Sequence, residues 1–148
     1  MAEATQRIEV TLETLVESVQ LAEDICLRIA EAAGFDEDDR FKIGMSVREG
    51  VINAVNYGNG KQREKKVHLI FELGPEKMQI HVLDQGIGFD LAAVPDPLAD
   101  ENLLRSSGRG IFLMRSFMDE FDVRRGGNGG AEIVMSKRYP HLRSPAKP

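Results

Sequence analysis

The chain has 148 residues, 42% of them apolar, and a formal net charge of −5. That is the length of one domain able to bury about 70% of its unfolded surface, and the apolar content excludes global disorder. The acidic balance, with no basic stripe carrying interleaved aromatics, excludes non-specific nucleic-acid binding.

Cys26, the single cysteine, excludes an internal disulfide and C-x-x-C metal sites. It falls in an apolar helical pattern and reads as a buried structural thiol. The first 25 residues hold six acids, and no apolar run nears 18 residues. Neither a signal peptide nor a membrane span is expected, so the chain reads as soluble and cytoplasmic.

Residues 7–11 alternate and predict a short strand. From about Glu13 to Ala33 the spacing of Leu12, Leu15, Val16, Val19, Ala22, Ile25, Cys26, Ile29 and Ala33 predicts an amphipathic helix that Gly34 ends. Asp36 then suits an N-cap, with acids at 37–39 in the favourable first turn. A second helix is expected from about Glu37 to Tyr57, with Phe41, Met45, Val47, Val51, Ile52 and Val55 on its apolar face and Gly58-Asn59-Gly60 as its stop.

Val67, Leu69, Phe71 and Leu73 alternate, as do Met78, Ile80 and Val82, with a turn at Gly74–Lys77 between the two strands. Residues 91–107, with Pro95 and Pro97, form a long connection. A helix is expected from about Gly110 to Glu120, striped by Ile111, Met114, Phe117 and Met118. Strands near 121–125 and 130–137 join through Gly126–Gly130 as a hairpin, and a frayed tail follows Tyr139. The sum is one α/β domain over 1–138 with a flexible tail at 139–148. Its expected architecture is a two-layer sandwich of a mixed, mostly antiparallel sheet with helices on one face.

Three motifs carry the chemistry. Glu49, Asn53 and Asn56 stand at i, i+4 and i+7 of the second helix and so share a face. Oxygen ligands of this kind suit Mg²⁺, which keeps waters and bridges substrate phosphates; a solvated face with an asparagine cap fits the same pattern. Asp84 shares the parity of Ile80 and Val82, which points its carboxylate to the covered face, where an unpaired charge is costly. It can accept from an exocyclic amine such as adenine N6, while Gly86 and Gly88 let the backbone approach a planar base; a tight Asp-Gly turn is the competing reading. Gly108-Arg109-Gly110 opens a helix whose free N–H groups and dipole favour phosphate, unless Ser106 and Ser107 cap it. Arg105 and Arg109 are candidates for phosphate contact. No P-loop or protein-kinase motif occurs.

Glu49-x-x-x-Asn53-Ala54-Val55-Asn56, Asp84-x-Gly86-x-Gly88-Phe89-Asp90 and Gly108-x-Gly110-Ile111-x-Leu113-Met114 resemble the N, G1 and G2 boxes of the GHKL ATPases, over roughly residues 7–138. Within them the chain is similar to the short anti-sigma-factor serine kinases, as its length, Gly88-Phe89-Asp90 and Phe117-Met118-Asp119-Glu120 suggest. The resemblance implies a Bergerat-type ATP-binding fold using ATP and Mg²⁺. It implies Glu49 as general base, Asn53 as Mg²⁺ ligand, with Asn56 beside it, and Asp84 as the adenine-binding carboxylate. Gly86, Gly88, Gly108 and Gly110 would shape the pocket and lid, and Arg105 and Arg109 would serve the phosphates. It further implies a homodimer that sequesters a sigma factor and phosphorylates a serine or threonine of a small antagonist protein, regulating transcription. Tyr57 stands where many relatives carry His, and Arg48 fills a variable position.

Three other readings compete. One is a nucleotide-binding switch without kinase activity. Another is a GHKL-type ATPase of the gyrase or chaperone kind, which needs further domains to use the hydrolysis. The third is the catalytic domain of a histidine kinase, which needs an upstream phosphoacceptor His. His68 and His81 read as ordinary exposed strand residues, and His141 lies in the tail.

Overall fold

The computed structural model describes residues 5–86, 108–126 and 130–143. Among the described residues five strands form one sheet: β1 (Gln6–Glu13), β2 (Lys66–Leu73), β3 (Lys77–Leu83), β4 (Glu120–Arg125) and β5 (Ala131–Arg138), in the order β1-β2-β3-β5-β4. All four pairings are antiparallel, the dominant sense expected for the sheet. Helices α1 (Val16–Ala32), α2 (Glu37–Asn53) and α3 (Gly108–Phe117) cover one face.

Strand parity sets the two faces. Val67, Leu69 and Phe71 of β2, Met78, Ile80 and Val82 of β3 and Met135 of β5 are buried in one cluster with Ala22, Cys26, Ile43, Val47, Val51 and Met114 of the helices. Burial pushes the Cys26 thiol well up, so it is an inert core group. The alternate residues of the edge strands, Arg7, Glu9 and Thr11 on β1 and Glu120, Asp122 and Arg124 on β4, face solvent.

The helices differ from expectation in instructive ways. Glu13 still pairs with Lys66, and Thr14 Oγ1 donates to the Lys65 carbonyl at 2.5 Å, so the strand persists and α1 begins only at Val16. Leu12 is therefore a buried strand residue, and Val16 is 74% exposed. Gly34, at φ 94°, ends α1 as expected, and Asp36 caps α2 by accepting the Asp39 N–H at 2.9 Å. Gly44 and Gly50 permit close packing: a Cβ would stand 2.8 Å from Leu27 Cδ2 at the first and 3.3 Å from Val82 Cγ2 at the second. Beyond Asn53 the α-helix does not reach Tyr57. It widens into a π-helical turn, Ala54–Gly58, closed by the Asn59 N–H on the Ala54 carbonyl at 2.8 Å.

Two expectations about the rim are corrected. His81 is not an exposed strand residue. It is 8% exposed, with Nδ1 2.6 Å from Glu132 Oε2 and Nε2 2.7 Å from Glu72 Oε1. Its register partners Ile70 and Val134 flank it, so side chains of three strands enclose it on the face away from the helices. Burial works to raise the Glu132 carboxyl, but Arg124 and His81 outweigh it and hold it below its ordinary value.

Nor is the chain frayed directly after Tyr139. The Tyr139 hydroxyl donates to the Gly74 carbonyl at 2.8 Å, and a 3₁₀ turn at Pro140–Leu142 follows. Arg143 Nη1 then donates to both oxygens of the buried Asp39, at 3.0 and 2.9 Å.

Candidate active site

The site lies where α2 ends, between the end of β3 and the start of α3. Glu49 and Asn53 sit one turn apart on α2. Asn56 falls in the π-helical turn, so the α-helical register expected to align all three stops at Asn53. Glu49 points at the first turn of α3: a Cβ at Gly110 would be 2.6 Å from Glu49 Oε2. The carboxylate therefore abuts a helix N-terminus, the end of a helix that favours anions.

Lys137 secures the other end of α3, donating from Nζ to the Phe117 carbonyl at 2.6 Å. Burial lowers its pKa.

Asn53 Oδ1 is buried and has no hydrogen-bond partner among the described residues. Such an orphan is rare and calls for an ion, a water or a ligand group. A neutral amide oxygen beside a carboxylate fits Mg²⁺, whose charge a polyphosphate already balances.

Asp84, just past β3, is 5% exposed. Its Oδ1 accepts the N–H groups of Gly86 and Ala131, both at 3.0 Å. Its Oδ2 takes no hydrogen bond among the described residues and faces Gly58, where a Cβ would collide with it. Gly86 and Gly130 are equally constrained: a Cβ would strike the Gly58 carbonyl at the first and the Asp84 carbonyl at the second. Burial raises the Asp84 pKa, against the two amides and the Lys65 charge, which lower it. One carboxylate oxygen is thus pinned by the backbone, and the other is left to accept from a ligand inside a wall of glycines.

The structure brings Glu49 to Gly110, and Asp84 and Gly86 to Gly58 and Gly130. Gly108 and Arg109 form the first turn of α3, and the Arg109 side chain lies outside the described residues. Gly88, Arg105, the expected caps Ser106 and Ser107 and the whole 91–107 connection also lie outside them. Sequence reasoning missed Gly58 as a contact of Asp84 and Asn59 as a buried amide; in sequence the two glycines flanking Asn59 signal only a helix stop.

A family model, the histidine kinase-like ATPase domain, matches residues 12–137. A serine-protein kinase RsbW from Staphylococcus epidermidis is 34% identical over 137 residues, 88% of this chain and 85% of the relative. A serine-protein kinase RsbW from Listeria innocua is 26% identical, covering 93% of this chain and 90% of the relative. Among solved structures, the RsbU and RsbW domains of Rv1364c from Mycobacterium tuberculosis superpose with a TM-score of 0.65 at 16% identity, covering 90% of this chain and 32% of that one. The catalytic domain of histidine kinase ThkA gives 0.55 at 13% identity, covering 89% and 97%. At these identities the two structures show the fold. The family model and the sequence relatives go further: the chain belongs to the histidine kinase-like ATPase domain family and, within it, to the RsbW-type serine-protein kinases.

Proposed function

We propose that the chain is a Mg-ATP-dependent protein serine/threonine kinase of the anti-sigma-factor type, which sequesters a sigma factor and phosphorylates a small antagonist protein. The observation that carries the reading is the pairing at the end of α2: a carboxylate, Glu49, against the first turn of α3, one turn from the unpartnered Asn53 oxygen. The names of the relatives support the kinase class.

In this reading Asp84 Oδ2 accepts the exocyclic amine of adenine, and Gly58, Gly86 and Gly130, lacking side chains, let the backbone close tightly around that carboxylate. Asn53 would hold Mg²⁺, which when bound neutralises phosphate charge. The N–H groups of Gly108–Gly110 take the terminal phosphate, with Arg105, Arg109 and Asn56 as further phosphate-side groups and Gly88 in the pocket wall. Glu49 accepts the proton of the incoming hydroxyl. The hydroxyl oxygen bonds to the γ-phosphorus as the bond to the ADP oxygen breaks.

A homodimer in the cytoplasm is the expected working form. None of the described helices is long and apolar enough to cross a membrane. The test is incubation with labelled ATP and the antagonist that co-purifies from the native host. Phosphoserine or phosphothreonine on the antagonist is expected; tight nucleotide binding with no transfer would replace the kinase by a switch.

A further inference from the structure

Asn59 is 1% exposed and has no task in the chemistry above. Its Nδ2 donates to Thr14 Oγ1 at 2.8 Å and to the Lys66 carbonyl at 3.0 Å, and its Oδ1 accepts the Gln85 N–H at 2.7 Å. The amide orientation is fixed, because the Gln85 N–H can only donate and the Lys66 carbonyl can only accept. Gln85 Oε1 in turn accepts the Lys66 N–H at 2.6 Å. The end of β1, the start of β2 and the loop after β3 are thus tied through one buried side chain.

That side chain stands next to the Asp84 wall. Gly58, which faces Asp84 Oδ2 and Gly86, immediately precedes Asn59; Gln85, which Asn59 holds, lies between Asp84 and Gly86. The wall itself is glycine and cannot fix the loop by side-chain packing. The π-helical turn is what delivers Asn59 to this point, through its N–H on the Ala54 carbonyl. Residues of three separate segments therefore converge on the backbone that carries the carboxylate.

We propose that Asn59 is a positioning residue for base selection: by clamping Gln85 it holds Asp84 Oδ2 where it accepts an amine, and so sets the preference for adenine over guanine. The proposal rests on the nucleotide-binding reading above. Loss of the clamp leaves the Gln85 N–H and the Lys66 carbonyl without these partners and lets the loop shift. The discriminating contact then weakens more than the reacting end around Glu49.

The test is calorimetry of the full chain with Mg-ATP and Mg-GTP, together with phosphorylation kinetics. Asn59→Ala is expected to lower the ATP-to-GTP affinity ratio by at least about tenfold, the scale of one lost buried hydrogen bond. It should raise the KM for ATP by a larger factor than it lowers kcat. Thr14→Val should move the ratio in the same direction, and Thr14→Ser, which keeps the hydroxyl, should restore it. This pair decides the matter if Asn59→Ala does not fold. A wild type that prefers ATP, beside folded Asn59→Ala and Thr14→Val proteins with an unchanged ratio, overturns the inference alone. So does a fall in kcat with the ratio intact, the mark of a merely structural role. A wild type that binds neither nucleotide overturns the kinase reading as well.

Discussion

Gly110→Ala separates the placement of the base from the stability of the fold. The new Cβ would sit 2.6 Å from Glu49 Oε2, 3.5 Å from its Cδ and 3.6 Å from its Cβ. Only the first distance is forbidding, and it involves the tip of a flexible side chain, so the carboxylate retreats by about 1 Å and the helices stay where they are. Gly110 is not among the described residues with positive φ, so alanine suits its backbone and brings up to about 1 kcal/mol of helix propensity. A displacement of about 1 Å at a reacting group costs on the order of 10²-fold in rate. The variant should therefore melt no lower than wild type while kcat falls about 10²-fold. Thermal unfolding and steady-state transfer to the antagonist, measured on the same preparation, check both halves. Because the effect runs through Glu49, combining it with Glu49→Gln should slow transfer no further than Glu49→Gln alone. Wild-type kcat in Gly110→Ala, or fully additive losses in the double variant, would refute the reasoning.

Glu49→Gln should keep Mg-ATP affinity within a few-fold in calorimetry and lose about 10²–10⁴-fold in transfer rate. Asn53→Ala should abolish the Mg²⁺ dependence of ATP binding, read by titration with and without the metal. Burial raises the Asp84 pKa, so ATP affinity should fall on acidification at a pH above the ordinary carboxylate range, since a proton on Oδ2, the oxygen not held by the Gly86 and Ala131 amides, stops it accepting the amine. The stability sign is opposite: the folded state holds the Asp84 proton more tightly than the unfolded chain, so this group's penalty is present at neutral pH and relieved as pH falls through the raised value. Asp84→Asn should accordingly melt no lower than wild type at pH 7, with the gap closing in acid. Arg143→Ala leaves the buried Asp39 carboxylate without its partner and should cost about 3 kcal/mol in denaturant unfolding.

The sheet is legible in the sequence because the period of two in β2 and β3 is uninterrupted, and the same parity carries Asp84 to the covered face. Glu49 and Asn53 are legible because helical spacing is a local property. What escapes is non-local. Asn59 meets Thr14 at a sequence distance of 45, and no pattern around either residue announces the other. His81 alternates like an exposed residue, yet Glu72 and Glu132 reach it from adjoining strands. The π-helical turn is built from Ala54, Val55, Asn56, Tyr57 and Gly58, which also suit an α-helix. Its register is decided by where Asn59 and Gly58 must meet the β3 loop.

The placement of β1 has a kinetic corollary. β2–β3 and β4–β5 are hairpins between sequence neighbours, whereas β1 joins the sheet across α1 and α2, with Thr11 and His68 in contact at a separation of 57. Closing so long a loop carries an entropic cost that the hairpins avoid, and contacts of that range form late. Until β1 arrives, β2 presents a bare edge of alternating Val67, Leu69 and Phe71, the kind of template on which another chain can pair. The helical hairpin α1–α2 is thus more than the roof of the pocket: its docking is what delivers the strand that guards the growing sheet. Amide exchange should report this order, with the protons of β1 released before those of β3.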